Sequence, residues 1–174
     1  GEAAAAFDQN TDPPLSALGR EQAAVSAQSL SRCVPDDAQL LSSPKLRAMQ
    51  TGELFAGLRE RVLNIDRRFI ELPSPGKLSE RKEWIQRVLK GQWSELPESV
   101  HNWQRDIVEA IHGLQSPTVI FSHFLVINTV AAHMSGRDDV IQCVPANGSV
   151  HHLRVEGERW HWIERGEMLQ TVVN

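Results

Sequence analysis

The sequence contains no tyrosine and only two cysteines among its 174 residues, and its longest apolar runs are short. Two cysteines, Cys33 and Cys143, are too few for a disulfide scaffold, so we expect buried free thiols. No apolar run approaches the roughly 20 residues of a membrane-spanning helix. Acidic residues outnumber basic ones, 22 to 18. These features argue against a disulfide-rich module, a membrane protein and a broad nucleic-acid-binding surface.

Metal-binding patterns and linker segments are also missing from the sequence. No HExxH segment and no zinc-type spacing of Cys and His occurs. His151 and His152 are adjacent on a predicted strand, so their side chains point to opposite faces and cannot share a metal. We therefore expect no metal and no cofactor. With 41% hydrophobic and 23% charged residues, the composition is typical of soluble globular proteins, and we expect residues 1–174 to form a single domain.

Short apolar segments alternate with amphipathic segments through most of the chain. The predicted strands are Gln39–Leu41, Val62–Ile65, Thr118–Phe121, Ser149–Val155 and Arg159–Glu164. Thr118–Phe121 shows no polar alternation, which predicts a strand covered on both faces. Helices are predicted after Ser16, from Pro44, over Ser79–Leu89, from Pro97 and over Phe124–Ser135. This alternation predicts an α/β fold in which a sheet lies between helices.

The segment from Ser43 to Arg47 has the features of an anion site. Ser43 is a suitable N-cap and Pro44 suits the first helical position. Arg47 then falls in the first helical turn, and its guanidinium should reach back over the end of the preceding strand. A guanidinium beside a helix N-terminus favours phosphate. An ordinary surface arginine is the competing interpretation of this segment alone.

A second candidate residue, His123, follows the apolar Thr118–Phe121 strand. Ligands of α/β sheets bind at the carboxyl ends of the strands. Because Arg47 and His123 both follow such ends, we expect their side chains to converge on one anion site. A core histidine held by the backbone is the alternative interpretation of His123.

Several motifs in this order resemble the histidine phosphatase superfamily. Ser43-Pro44-x-x-Arg47-Ala48-x-Gln50-Thr51 resembles the family's SPxxRAxQT motif. Other segments resembling the family in the same order are Gly1-Glu2, Asp12-Pro13-Pro14-Leu15-Ser16 with Gly19, Glu71, Glu98-Ser99 with Arg105, Ser122-His123, and Asn147-x-Ser149. The resemblance implies a three-layer α/β/α sandwich with a mostly parallel sheet, of the phosphoglycerate-mutase type. Residues 73–114 would form a helical insertion over the site.

The resemblance also implies roles for individual residues. Arg47 and His123 would hold the phosphoryl group, with Gly1 and Asn10 as further binding residues, although Asn10 could instead cap a turn. Glu71 would protonate the leaving oxygen and later activate water. Asp66 and Glu80 are alternative proton donors. We expect Arg47 and Arg68 to lower the pKa of Glu71 and burial to raise it.

The family's nucleophile is the histidine of an Arg-His-Gly sequence, and this sequence begins at that glycine. The resemblance therefore places the nucleophile just before Gly1, at the end of an apolar strand. We expect that strand to lie between Gln39–Leu41 and Thr118–Phe121. Phe124 departs from the glycine that relatives carry after the second histidine.

The resemblance implies a cofactor-independent phosphomonoesterase that acts on a small phosphorylated substrate through a phosphohistidine. We also expect a cytoplasmic location. We expect no nucleic-acid or membrane partner, and the oligomeric state is open, as is a signal peptide. Alternatives are a phosphoglycerate-mutase-type transferase, a protein-phosphohistidine phosphatase, and a phosphate-binding relative without catalysis. The transferase needs a second anion pocket, whose candidate cations are Arg67, Arg68, Lys77, Arg81 and Lys82.

Overall fold

The computed structural model describes residues 12–74 and 77–169 of the chain. Its helices are α1 (Ala17–Cys33), α2 (Leu46–Arg59), α3 (Leu78–Lys90), α4 (Glu98–His112) and α5 (Phe124–Ser135). Its strands are β1 (Gln39–Ser42), β2 (Asn64–Ile65), β3 (Thr118–Phe121), β4 (His152–Glu156) and β5 (Arg159–Glu164). Short 3-10 helices lie at Arg67–Phe69 and Trp93–Glu95. The predicted order of helices and strands is confirmed, with shifts at their ends.

Three parallel strands form the main sheet, in the order β2-β1-β3. Leu40 and Leu41 are consecutive in β1, so their side chains leave opposite faces of the sheet. Leu40 belongs to an apolar cluster with Phe55 of α2, whereas Leu41 belongs to a second cluster with Ile107 of α4 and Leu125 of α5. Helices thus cover both faces of β1, which confirms the predicted sheet between helices.

Among the described residues, no strand lies at the expected position between β1 and β3. β1 pairs directly with β3 in parallel, with Gln39 opposite Thr118 and Ser42 opposite Phe121. The Ser43 N–H extends this contact by donating to the Phe121 carbonyl at 2.9 Å. The predicted position of a strand ending in Arg-His is therefore wrong, because direct hydrogen bonding leaves no space between the two strands.

β3 is less buried than its apolar sequence predicts. Only Phe121 is fully buried, and Thr118, Val119 and Ile120 are half-buried. Among the described strands, β3 has a neighbour on the β1 side alone. The prediction of cover on both faces is nevertheless confirmed, because Val119 packs against the cluster of Leu40 and Ile120 packs against the cluster of Leu41 on the opposite face.

The turn before α1 is attached to the start of α2. The Asp12 carboxylate accepts a hydrogen bond from the Leu46 N–H at 2.7 Å, and the Leu15 N–H donates to the Gln50 side chain at 2.7 Å. α2 begins at Leu46 with Lys45 as its N-cap residue, so the prediction that Ser43 caps this helix is wrong. Asp12 supplies the capping carboxylate from a distant part of the chain.

The remaining elements lie away from this turn. β4 and β5 form an antiparallel hairpin, with Gly157 at φ 61° in its turn.

Cys33 is exposed at the end of α1 and Cys143 is half-buried, so the expected burial of both thiols is wrong. Across the described ranges, none of the helices combines the length and the apolar character that crossing a membrane requires.

Two glycines of α2 give a matched test of how tightly this helix packs on the sheet. A Cβ atom at Gly52 would lie 2.8 Å from a Leu63 methyl group and 3.0 Å from the Phe121 ring, whereas one at Gly57 would meet nothing within 4 Å. We expect Gly57→Ala to stabilise the protein by roughly 0.5–1 kcal/mol through helix propensity. Gly52→Ala should be less stable than Gly57→Ala by about 1–3 kcal/mol, because of overpacking. Chemical unfolding measures both, and equal stabilisation by the two variants would contradict the packing described.

Candidate active site

The carboxyl ends of β1 and β3 lie side by side and bring Ser43 next to His123. The Ser43 hydroxyl is 2.7 Å from His123 Nε2. Ser43 is inaccessible to solvent, and His123 is 8% exposed. The Ser43 hydroxyl oxygen also accepts a hydrogen bond from the Lys45 N–H at 3.3 Å. This second contact ties the imidazole to the β1–α2 connection.

His123 is held in its neutral form. Burial is the main cause that lowers the pKa of its imidazole to about 3, and the positive charges of Arg47 and Lys45 add to the effect. Nε2 is occupied by Ser43, and within the described ranges Nδ1 makes no hydrogen bond. A neutral imidazole that accepts the Ser43 proton at Nε2 carries its own proton on Nδ1. In that tautomer the Nδ1–H group is available to a ligand.

The segment that carries Glu71 is fixed from two sides. The Trp103 indole of α4 donates to the Ile70 carbonyl at 2.9 Å. The Ser122 hydroxyl, beside His123, donates to the Phe69 carbonyl at 2.9 Å. These two bonds hold Glu71 against the carboxyl end of β3.

The Glu71 carboxyl group is buried at the N-terminus of α5. Its oxygens accept hydrogen bonds from the Leu72 N–H at 3.1 Å and the Leu125 N–H at 3.3 Å. Burial raises the pKa of Glu71 to about 7, although both N–H groups and the charges of Arg47 and Arg81 oppose the rise. Desolvation is therefore the larger effect, and a large fraction of Glu71 is protonated at neutral pH.

The second cation near Glu71 differs from the predicted one. Arg68 was expected to act on Glu71, but its guanidinium is paired with the Asp66 carboxylate at 2.6 Å. Arg81 acts on Glu71 instead. The hydrogen bond from Arg68 lowers the pKa of Asp66, which makes Asp66 a poor proton donor. Glu80, the other alternative, is exposed on α3.

Arg47 lies in the first turn of α2, as predicted, and is half-buried. Its positive charge lowers the pKa values of both Glu71 and His123. Among residues 12–74 and 77–169, no hydrogen bond or ion pair engages its guanidinium. A half-buried guanidinium with no partner in the described ranges, near a neutral imidazole and a carboxyl group that is partly protonated, can bind an oxyanion.

The structure brings Arg47, Glu71 and His123 to the same end of the sheet. Gly1 and Asn10 lie outside the described residues. Sequence reasoning missed the contact between Ser43 and His123, because Ser43 was assigned to helix capping. It also missed the capping of α5 by Glu71, which depends on residues far apart in the chain.

Other motif residues lie away from this group. Glu98, Ser99 and Arg105 are exposed on α4. In the Asn147-x-Ser149 motif, the Gly148 carbonyl accepts from Ser26 of α1 and the Ser149 hydroxyl is 2.8 Å from His151 Nε2. Where the chain is described, no group of His, Cys, Asp or Glu side chains has the arrangement of a metal site.

Comparison with known proteins gives matches of sequence family and of fold. The family model described as the histidine phosphatase superfamily (branch 1) matches residues 1–167. No curated protein matches the chain significantly.

Similar solved structures include YhfR from Bacillus stearothermophilus, with 22% identity, a TM-score of 0.70, and coverage of 87% of this chain and 84% of that one. The alpha-ribazole phosphatase from Shigella flexneri is 18% identical, with a TM-score of 0.70 over 94% of this chain and 89% of that one. A mycobacterial glucosyl-3-phosphoglycerate phosphatase with inorganic phosphate is 17% identical, with a TM-score of 0.65 over 91% of this chain and 89% of that one. At these identities the likeness establishes the fold, which is of the phosphoglycerate-mutase type.

The opposite pKa shifts of Glu71 and His123 predict a specific pH dependence of stability. Between pH 4.5 and 6.5, folding adds a proton to Glu71 and removes one from His123, so the two effects offset each other. Glu71→Gln removes the proton uptake at position 71 and leaves the proton loss at His123. Relative to the native chain, its unfolding free energy should therefore fall as the pH drops from 6.5 to 4.5, by on the order of 1 kcal/mol per pH unit.

Urea unfolding of both proteins across this pH range measures the difference, with Glu80→Gln as the exposed control. Stability curves for Glu71→Gln and the native chain that stay parallel from pH 4.5 to 7.5 would show that burial does not protonate Glu71.

Proposed function

The chain belongs to the histidine phosphatase superfamily, and from this premise we propose that it hydrolyses a small phosphomonoester through a phosphohistidine intermediate. The observation that carries the proposal is the pKa of about 7 at Glu71, beside an imidazole that stays neutral. A carboxyl group with this pKa can serve as a general acid near neutral pH. Two of the similar structures are named as phosphatases, which supports the same reaction class.

Arg47 and His123 bind the phosphoryl group in this proposal. The Arg47 guanidinium donates two hydrogen bonds to phosphoryl oxygens, and the His123 Nδ1–H donates a third. Ser43 positions His123 by donating its hydroxyl proton to Nε2, which keeps the imidazole proton on Nδ1. Gly1 and Asn10 are further binding residues in the same proposal.

Glu71 transfers the protons in the proposed reaction. A nucleophilic imidazole attacks phosphorus, the P–O ester bond breaks, and the leaving oxygen takes the Glu71 proton. The resulting carboxylate then accepts a proton from water as that water attacks the phosphohistidine and the P–N bond breaks. A bound phosphoryl dianion favours protonated Glu71 electrostatically, so the acid is ready when substrate is present.

The nucleophile in this proposal is the histidine expected just before Gly1. We further propose that residues 73–114 form an insertion beside the site. The Trp103 bond to Ile70 and the charge of Arg81 near Glu71 support this role. An insertion at this place would restrict access to the site, which favours a small substrate over a folded phosphoprotein.

The acid role of Glu71 predicts a dependence on the leaving group. With the protein expressed as its gene encodes it, Glu71→Gln should lower kcat for an alkyl phosphate by about 100-fold or more, because an alkoxide needs the proton. The loss on p-nitrophenyl phosphate should be much smaller, since nitrophenolate leaves without one. Phosphate release measures both rates.

Glu80→Gln is the matched control and should leave both rates near those of the native protein. Equal losses on the two esters in Glu71→Gln would assign Glu71 a structural role. A native protein that binds inorganic phosphate but releases none from either ester would favour the non-catalytic relative.

A further inference from the structure

Resting on the proposed function, we propose that Phe124, together with Ile70, forms an apolar subsite that binds the alcohol portion of the substrate. Phe124 is then a specificity-determining residue. The preferred substrates are phosphomonoesters whose alcohol carries an aromatic group close to the ester oxygen.

Two hydrogen bonds join the chain before Glu71 to the chain around His123. The Ser122 hydroxyl donates to the Phe69 carbonyl at 2.9 Å, and the Leu125 N–H donates to the Glu71 carboxyl group at 3.3 Å. Both bonds link a residue of the first segment to a residue of the second, so the two segments lie side by side at the carboxyl end of β3.

Ile70 and Phe124 lie within these bonded segments. Ile70 is the residue between the two bonded positions of its segment and directly precedes Glu71. Phe124 lies between the two bonded positions of the other segment and directly follows His123. Each apolar residue is therefore the chain neighbour of a residue that the proposed reaction uses.

Both apolar side chains are partly covered by the protein and partly exposed. Ile70 and Phe124 are half-buried, and both pack against the apolar cluster that contains Trp103 and Leu125. The buried Asn128 amide donates to the Phe124 carbonyl at 3.1 Å, which fixes the backbone at this position. The exposed part of the ring is thus held in place on a packed support, as a binding surface requires.

The position of Phe124 in α5 directs its ring toward the site. Phe124 is the first residue of this helix, which begins directly after His123. Helical side chains lean toward the helix N-terminus. For α5 that end lies at the carboxyl end of β3, where Glu71 caps it. Relatives carry glycine here, so the ring is an addition of this chain to the site.

The contact with Glu71 indicates which part of the substrate meets the ring. In the proposed reaction Glu71 protonates the leaving oxygen, so the alcohol portion extends from the Glu71 side. The residue after Phe124, Leu125, bonds the same carboxyl group. Neither Ile70 nor Phe124 has a side-chain hydrogen-bonding group, whereas an aromatic ring gains from burial and from edge or stacking contact with phenylalanine.

Two other roles of Phe124 are the competing explanations. A ring that only packs on the cluster would affect all esters alike through stability. A ring that obstructs the site would slow large esters, and its removal would accelerate them. A ring that binds the alcohol portion has the opposite effect, because its removal weakens binding of aromatic esters alone.

The test compares 2-phenylethyl phosphate with ethyl phosphate, which are both alkyl esters and differ by the phenyl ring. In the native protein, kcat/KM should be about 10-fold higher for the phenyl ester. Phe124→Ala should lower that value about 5- to 20-fold, mainly through KM, and change the value for ethyl phosphate by less than about threefold.

Leu153→Ala is the matched control, since Leu153 is half-buried against the same cluster but belongs to the β4–β5 hairpin. It should leave the preference between the two esters unchanged. Phe124→Leu retains an apolar side chain and should keep part of the preference if Phe124→Ala perturbs folding. Equal losses on both esters, faster turnover of the phenyl ester in Phe124→Ala, or no preference in the native protein would overturn the proposal.

Calorimetric titration with 3-phenylpropylphosphonate and propylphosphonate, which cannot be hydrolysed, keeps the two proposals separable. A native protein that hydrolyses neither ester, yet binds the phenyl phosphonate more tightly in a Phe124-dependent way, would contradict the proposed hydrolysis and support the apolar subsite. Hydrolysis of both esters with no selective effect of Phe124→Ala would contradict the subsite alone.

Discussion

The burial of one carboxyl group, that of Glu71, is the constraint on which the site depends. Two backbone N–H groups and two arginine charges favour its ionised form, yet its pKa is about 7 because desolvation is larger than all four together. Maintaining that burial requires an immobile backbone. The Trp103 and Ser122 side chains provide it by bonding the two carbonyl groups just before Glu71.

His123 is also buried, but burial lowers the pKa of its imidazole, whereas it raises the pKa of the Glu71 carboxyl group. Burial favours the neutral form of the imidazole, as it favours the neutral form of the carboxyl group. Near pH 7 the imidazole is thus neutral, and a large fraction of the carboxyl group is protonated. In the described part of the chain no ion pair engages Arg47 or Arg81, and their positive charges suit a phosphomonoester dianion.

Much of this arrangement could be predicted from local sequence patterns. The apolar runs ending at Ser42 and Phe121 predicted two strands, and Arg47 and His123 follow them directly. The direct pairing of these two strands could not be predicted, and a further strand was wrongly expected between them, since strand order depends on pairing between distant segments. A residue such as Ser43 has two uses, as helix cap or as partner of His123, and the chain alone does not decide between them.

Long-range electrostatics were the least predictable feature of the site. Arg68 is three residues from Glu71 in the chain but is paired with Asp66, whereas the charge of Arg81, ten residues away, acts on the pKa of Glu71. A charge near in sequence is not necessarily near in space.

The most direct test of this account is the titration of the Glu71 side chain by carbon-13 NMR of its carboxyl carbon, assigned with Glu71→Gln. The account predicts a midpoint near pH 7 in the ligand-free protein. A midpoint near 4.5, the ordinary value for a glutamate, would contradict it.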